Sequence, residues 1–123
     1  MNVVWFKRDL RLADHAPLAA AIDRGEPILL LYIVEPKLVR DPHYRGRHWH
    51  FIAQSLQAMN NELTALGVQI QILEGEPVAL LSTLHKLQPI GHLFSHQETG
   101  LGVTFERDRQ VAAFCAAKGI EWH

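Results

Sequence analysis

The feature that most constrains this chain is a glycine that closes an amphipathic segment just ahead of a β-rich run, and it occurs three times. Gly25 follows the Ala-rich segment 16–24 and precedes Pro27–Val34, Gly67 follows segment 46–66 and precedes Val68–Leu73, and Gly119 follows segment 104–118 and precedes Ile120–Trp122. A glycine past the last helical turn supplies the left-handed conformation that ends a helix. Together with Val3–Phe6 and Leu93–Ser95, these runs predict five strands with helical segments between them. Strands alternating with helices imply right-handed crossovers and a parallel sheet. Ile28–Val34 is apolar on both faces, as a central strand covered on both sides must be. Ile52, Leu56, Met59, Leu63 and Leu66 recur at steps of four and three, which places them on one helical stripe. The expected fold is α/β, a Rossmann-like doubly wound five-stranded parallel sheet of order 3-2-1-4-5.

A chain of 123 residues, 48% of them hydrophobic, can bury one core and is read as one domain, 1–123. Its longest apolar run, Ile28–Val34, falls far short of the roughly 20 residues of a membrane span, and no basic leader precedes a long apolar stretch. The single cysteine, Cys115, excludes an internal disulfide framework, a Cys-based zinc site and a CxxC pair, and points to a reducing cytoplasmic setting. Cys115 itself reads as a small buried hydrophobe. Twelve Lys and Arg against thirteen Asp and Glu leave no basic field to hold a polyanion. The balance is uneven, with eight basic and six acidic residues in 1–50 and four and seven in 51–123, which fits a local anion-friendly patch or an ordinary solvated surface.

Several enzyme signatures are missing: GxxxxGK[ST], GxGxxG, GxSxG and HExxH. A Walker-type NTPase and a standard NAD-binding domain are therefore not expected. Nor is a metal site. His48 and His50 diverge on a predicted helix, and His92 and His96 lie about 13 Å apart along one extended strand. The irregular segment 35–45, with two prolines, is long enough in so small a domain to line a site.

In an open parallel sheet, ligands gather beyond the carboxyl ends of the strands at the topological switch point. For the order above, that point lies between the first and fourth strands. These strands run into Phe6-Lys7-Arg8-Asp9-Leu10-Arg11 and His96-Gln97-Glu98-Thr99. The first set is either a loop fixed by its own ion pairs, Asp9 and Asp14 with Arg8 and Arg11, or the polar rim of a planar ligand. The second is either a plain polar turn or the facing wall of that site.

The stretch from Val4 to Leu18, Val-Trp-Phe-Lys-Arg-Asp-Leu-Arg-Leu-Ala-Asp-His-Ala-Pro-Leu, resembles the opening of DNA photolyases and cryptochromes, where a strand runs into W-F-(R/K)-x-D-L-R-L-x-D-N/H-x-x-L. Leu29–Ile33, the Arg47–Leu66 helix, His96–Gly100 and Glu106-Arg107-Asp108 are also similar to the family's corresponding segments. The resemblance spans the whole chain and covers only the N-terminal α/β domain of such proteins. It implies a domain that carries an accessory light-harvesting chromophore, a folate or a deazaflavin, while the catalytic FAD and the pyrimidine-dimer pocket belong to a larger helical domain not contained in these residues. Where the best-known folate-binding members carry Asn-Tyr, this chain reads Ser95-His96-Gln97-Glu98.

Carried over by position, the antenna-site candidates are Phe6, Lys7, Arg8, Asp9, Tyr44, Arg47, Gln97 and Glu98, with His43 beside them. Glu98 would accept hydrogen bonds from a pterin or deazaflavin ring, Tyr44 or Phe6 would supply a stacking face, and Arg8 or Lys7 would meet an acidic tail. The resemblance makes the parent a blue-light, flavin-dependent repairer of pyrimidine dimers in DNA, partnered by the helical FAD domain and meeting DNA only through it. The 123 residues alone are expected to catalyse nothing, to bind no FAD and to meet no membrane. Two other readings stay open: a stand-alone nucleotide- or pterin-binding α/β domain, and a structural domain whose antenna site is empty. Because the sequence stops at His123 directly after the fifth strand, a domain cut from something longer is expected, with an apolar patch near Trp122 that favours self-association.

Overall fold

A computed structural model of the chain describes residues 1–41, 46–98 and 102–123, except for the side chain of Arg47. Strand β1 (Asn2–Phe6) is buried along its whole length. Side chains alternate across a strand, so Val3 and Trp5 enter one core cluster and Val4 and Phe6 the other. A strand that feeds two cores must lie inside the sheet. On one side β1 pairs with β2 (Ile28–Val34), from Asn2 opposite Ile28 to Phe6 opposite Tyr32. On the other it pairs with β4 (His92–Phe94). Strand β3 (Gln71–Glu74) lies outside β2, and β5 (Glu121–Trp122) outside β4. All pairings are parallel and the order is β3-β2-β1-β4-β5, as the sequence pattern predicts.

The helices divide between the two faces. Helix α1 (Ala16–Asp23) and helix α3 (Gly46–Thr64) cover the Val4/Phe6 face through Ala21, Ile52, Leu56, Met59 and Leu63. Helices α4 (Pro77–Leu87) and α5 (Val103–Lys118) cover the Val3/Trp5 face through Leu81, Val111, Phe114 and Cys115. Burial pushes the Cys115 thiol up to about 11, so it is an inert core group. Gly25, Gly67 and Gly119 all have positive φ, between +67° and +76°, which only glycine adopts without strain. Prolines sit in the first turns of α1 and α4: Pro17 lies two residues after the capping His15, whose Nδ1 accepts the Leu18 N–H at 3.1 Å, and Pro77 follows Glu76, which accepts the Ala79 N–H at 3.0 Å.

Three details depart from the sequence expectation. Helix α3 ends at Thr64, so Leu66 falls outside the apolar stripe and is 76% exposed. Strand β3 begins at Gln71 rather than Val68, because the Val68 N–H still bonds to Leu63 O in the helix terminus and the Ile70 N–H bonds to Asn60 Oδ1. The segment after β2 contains a short helix, α2 (Pro36–Val39), opened by its proline.

Leu31→Ala, in the fully buried centre of β2, is expected to cost about 2–5 kcal/mol in urea denaturation. The exposed Leu66→Ala is expected to stay within about 0.5 kcal/mol. Equal costs would restore Leu66 to the core stripe.

Candidate functional site

Parallel strands in register end together, so the residues that follow β1 and β2 meet at the carboxyl edge of the sheet. Phe6, Lys7 and Arg8 come from the first strand, and Tyr32, Ile33 and Glu35 from the second. The start of α3 closes the far wall with His48, Trp49 and Ile52, while Glu98 arrives after β4 and Arg107 from the second turn of α5. Together they line a narrow crevice enclosing about 20 Å³, with apolar and charged side chains both in its walls.

Arg107 organises the charge. Its Nη1 donates to Glu35 Oε2 at 2.9 Å, its Nη2 to Glu98 Oε1 at 2.5 Å and its Nε to Asp108 Oδ1 at 3.0 Å. Its guanidinium carbon lies 5.0 Å from the centre of the Trp5 ring. Burial disfavours the cation, but Glu35 and Glu98 outweigh it and hold Arg107 above its ordinary value. Burial also pushes the Glu35 carboxyl up, against the pull of Arg107. Lys7 enters the same network from below: Nζ lies 4.4 Å from the Trp5 ring centre and 3.5 Å from Asp108 Oδ1, and donates to His96 O at 3.2 Å. Burial lowers its pKa, and Asp108 opposes that shift. Arg8 is largely exposed, with Nε 3.9 Å from Glu98 Oε2.

Asp9 turns away from the crevice. Its Oδ1 accepts the Lys7 backbone N–H at 2.8 Å, and its Oδ2 faces His96 Nδ1 and His15 Nε2, the latter at 2.5 Å but angled outside hydrogen-bond geometry. Because His15 Nδ1 accepts the Leu18 N–H, the proton of a neutral His15 sits on Nε2, toward the carboxylate. Burial works against the charge on Asp9, but these imidazoles and the Lys7 N–H outweigh it and hold the carboxyl well below the usual carboxylate range. A protonated Nε2 has no lone pair to offer, so this trio ties the loop after β1 to the cap of α1 and to the end of β4 rather than forming an ion cage.

Of the residues singled out in the sequence, Phe6, Lys7, Arg8 and Glu98 line the crevice. Asp9 lies beside it. Gln97 lines a separate open hollow of about 490 Å³ with Ser95, Phe105, Trp122 and His123, while Glu98 reaches both. Trp122 there is half-buried, stacked on Trp5 with ring centres 6.3 Å apart. His43, Tyr44, Thr99, Gly100 and the Arg47 side chain lie outside the described residues. The pairing of Arg8 and Arg11 with Asp9 and Asp14 is replaced by Arg8 with Glu98 and by an Arg11 Nε bond to the Asp14 carbonyl at 3.2 Å. Tyr32, Trp49 and Arg107 join the site without having been singled out for it by the sequence, and Glu35 comes from the segment 35–45 that the sequence marks as long enough to line one. Glu35 carries the plainest signal, since it directly follows the apolar run of β2 and so falls at a strand's carboxyl end.

The fold and this edge define a Rossmann-like α/β domain with its candidate site beyond the strand termini. The DNA photolyase family model matches residues 2–123, and the chain belongs to that family. It is similar to cryptochrome-2 of Gallus gallus, at 28% identity over 121 residues, covering 98% of this chain and 20% of that protein. It is also similar to the deoxyribodipyrimidine photo-lyase of Vibrio cholerae, at 29% identity over 126 residues, covering 99% of this chain and 27% of the relative. An archaeal photolyase from Sulfolobus tokodaii, solved with two FAD molecules, has the same fold, with a TM-score of 0.85 at 22% identity, over 99% of this chain and 28% of that one. The chain thus spans about a fifth to a quarter of the curated relatives it matches.

Two outcomes test the site's electrostatics. Arg107→Met, which leaves Glu35 and Glu98 buried without their cation, is expected to cost about 3–5 kcal/mol at neutral pH. Asp9→Asn is expected to cost about 1–3 kcal/mol at pH 7. Because the folded-state pKa of Asp9 is depressed, its contribution is full above the unfolded value of about 3.9 and fades as pH falls below it. Denaturation of both proteins from pH 7 down to 3 should therefore show the stability gap starting to narrow below about pH 4, and a gap that stays constant to pH 3 would remove the charged role of Asp9.

Proposed function

We propose that residues 1–123 are the N-terminal antenna-type domain of a photolyase/cryptochrome-type flavoprotein, and that the crevice between the ends of β1 and β2 seats an accessory light-harvesting chromophore. Within this reading the longer protein uses blue light and FAD, held in a helical domain, to repair pyrimidine dimers in DNA. The family membership supports the general class. The observation that supports the chromophore is the lining itself: Phe6, Tyr32 and Trp49 offer ring faces, and Glu35 and Glu98 offer acceptors for the N–H edge of a pterin, deazaflavin or flavin. A light-harvesting role for a second flavin is raised for the Sulfolobus tokodaii protein, so a flavin joins folate and deazaflavin among the candidates.

One observation favours a second reading. The crevice encloses about 20 Å³, against the several hundred that a cofactor of this size occupies, so the chemistry of its walls fits such a ring but its width does not. A ligand has to displace the wall formed by His48 and Trp49. If that wall does not yield, the domain is structural and its antenna site is empty.

Titration with a reduced folate, a deazaflavin and FMN, followed through tryptophan fluorescence, separates the readings. The chromophore reading expects saturable binding, weakened about ten- to a hundredfold in Glu98→Ala and in Arg8→Ala, equivalent to roughly 1.5–3 kcal/mol for a lost bond to a charged partner. No binding of any of the three to the folded chain supports the structural reading. Binding unaffected by both substitutions would move the ligand elsewhere on the molecule.

A further inference from the structure

We propose that His92, Glu121 and His123 form a surface site for a divalent transition-metal ion, with zinc the best fit. The pairing of β4 with β5 creates it. Parallel register sets His92 directly opposite Glu121, and the two-residue period of a strand puts His123 on the same side as Glu121. Three potential ligands therefore share one patch at the sheet edge, on the side that also carries Phe94. No two of them are close enough in sequence to suggest it except Glu121 and His123.

The distances match coordination. His92 Nδ1 lies 2.9 Å from His123 Nε2 and 3.5 Å from Glu121 Oε2, and His123 Nε2 lies 3.6 Å from the same carboxylate oxygen. A tetrahedral zinc ion with bonds of about 2.0–2.1 Å separates its ligand atoms by about 3.3–3.4 Å, so a small adjustment of three side chains closes the shell on three corners. Two imidazole nitrogens facing each other at 2.9 Å otherwise require one ring to donate and the other to accept. An ion replaces that proton and satisfies both lone pairs.

The rings are also held in place beforehand. Phe94 stacks on His123 with ring centres 4.6 Å apart and planes 10° from parallel, and on His92 at 6.0 Å and 27°. Stacking on a buried residue limits the rotamer entropy lost on binding. The His92 side chain is 14% exposed, against 42% for His123 and 71% for Glu121, so an ion can enter from solvent and keep a water as fourth ligand. Two imidazoles and one carboxylate suit zinc, and would take nickel or copper in its place, whereas magnesium and calcium prefer all-oxygen shells. The Asp9–His15–His96 trio lacks this capacity, because the His15 nitrogen that faces it is the protonated one. The inference does not depend on the chromophore reading.

The test is equilibrium dialysis of the untagged 123-residue chain against zinc chloride at about micromolar free metal, with cobalt(II) substitution as an optical readout of geometry. Retention of one equivalent is expected, with the visible bands of tetrahedral cobalt. His123→Ala and Glu121→Gln should each weaken binding at least about tenfold, or about 1.4 kcal/mol, with an unchanged far-ultraviolet dichroism spectrum. His96→Gln should bind as the parent does. Failure to retain metal, or retention that survives His123→Ala, would overturn the site. So would loss of binding in His96→Gln alone.

Discussion

A guanidinium buried beneath the end of a sheet has to be neutralised on the spot, and in this molecule that requirement fixes how the ends of the strands are arranged. Arg107 reaches one carboxylate after β2, Glu35, and another after β4, Glu98, while its neighbour Asp108 holds its third edge. The two strands on either side of β1 are thereby bridged through one cation supplied by a helix. The bridge depends on α5, which supplies Arg107. Replacing the network with apolar groups of the same shape could stabilise such a core, whereas removing one member strands the others. Its presence is therefore better understood as shaping the edge than as strengthening the fold.

Trp5 forms the floor of that arrangement. It stands in the central strand, fully buried, with Arg107 and Lys7 near its ring and Trp122 stacked alongside. The Trp122 indole N–H donates to Ser95 Oγ at 2.8 Å, which fixes β5 against the end of β4. On the opposite face Phe6 packs near His15, whose ring bridges the α1 cap and Asp9. Successive residues of one strand thus govern the two sides of the loop that follows, Trp5 through cations and Phe6 through a histidine cap.

Much of this was legible in the sequence, for specific reasons. Glycine stops at 25, 67 and 119 mark helix ends because the positive φ they adopt is a local property of the residue. The fully apolar β2 and the two-sided burial of β1 follow from composition over a few residues. The end of helix α4 is less legible, since it stops at Leu87, two residues ahead of Pro89, without a glycine, and α2 lies inside a segment that reads as irregular. At the site, Phe6, Lys7, Arg8 and Glu98 could be placed from the carboxyl-end rule. Arg107 could not, because its role depends on a helix arriving from the far side of the sheet. The same limit hid the closeness of His92 to His123, which is set by the register between strands and not by their separation along the chain.

The self-sufficiency of the charges bears on what the crevice could hold. Glu98 is shared between Arg107 and Arg8, Glu35 is committed to Arg107, and Lys7 is spread over Asp108, a carbonyl and an aromatic face. Any polar atom of a ligand must exchange with one of these pairs, so its net gain is the difference between the bond made and the bond displaced. Covering the apolar side chains adds about 25 cal/mol per Å² of surface removed from water. Four acidic side chains, Asp9, Glu35, Glu98 and Asp108, surround three cations, Lys7, Arg8 and Arg107, so the local field offers no general attraction for a phosphate or a polyglutamate tail. Arg8 is the cation of this group nearest to solvent, and an acidic tail that met it would have to lie along the rim and leave the ring inside. A neutral planar ring with N–H groups on one edge is the ligand chemistry such a site would discriminate best.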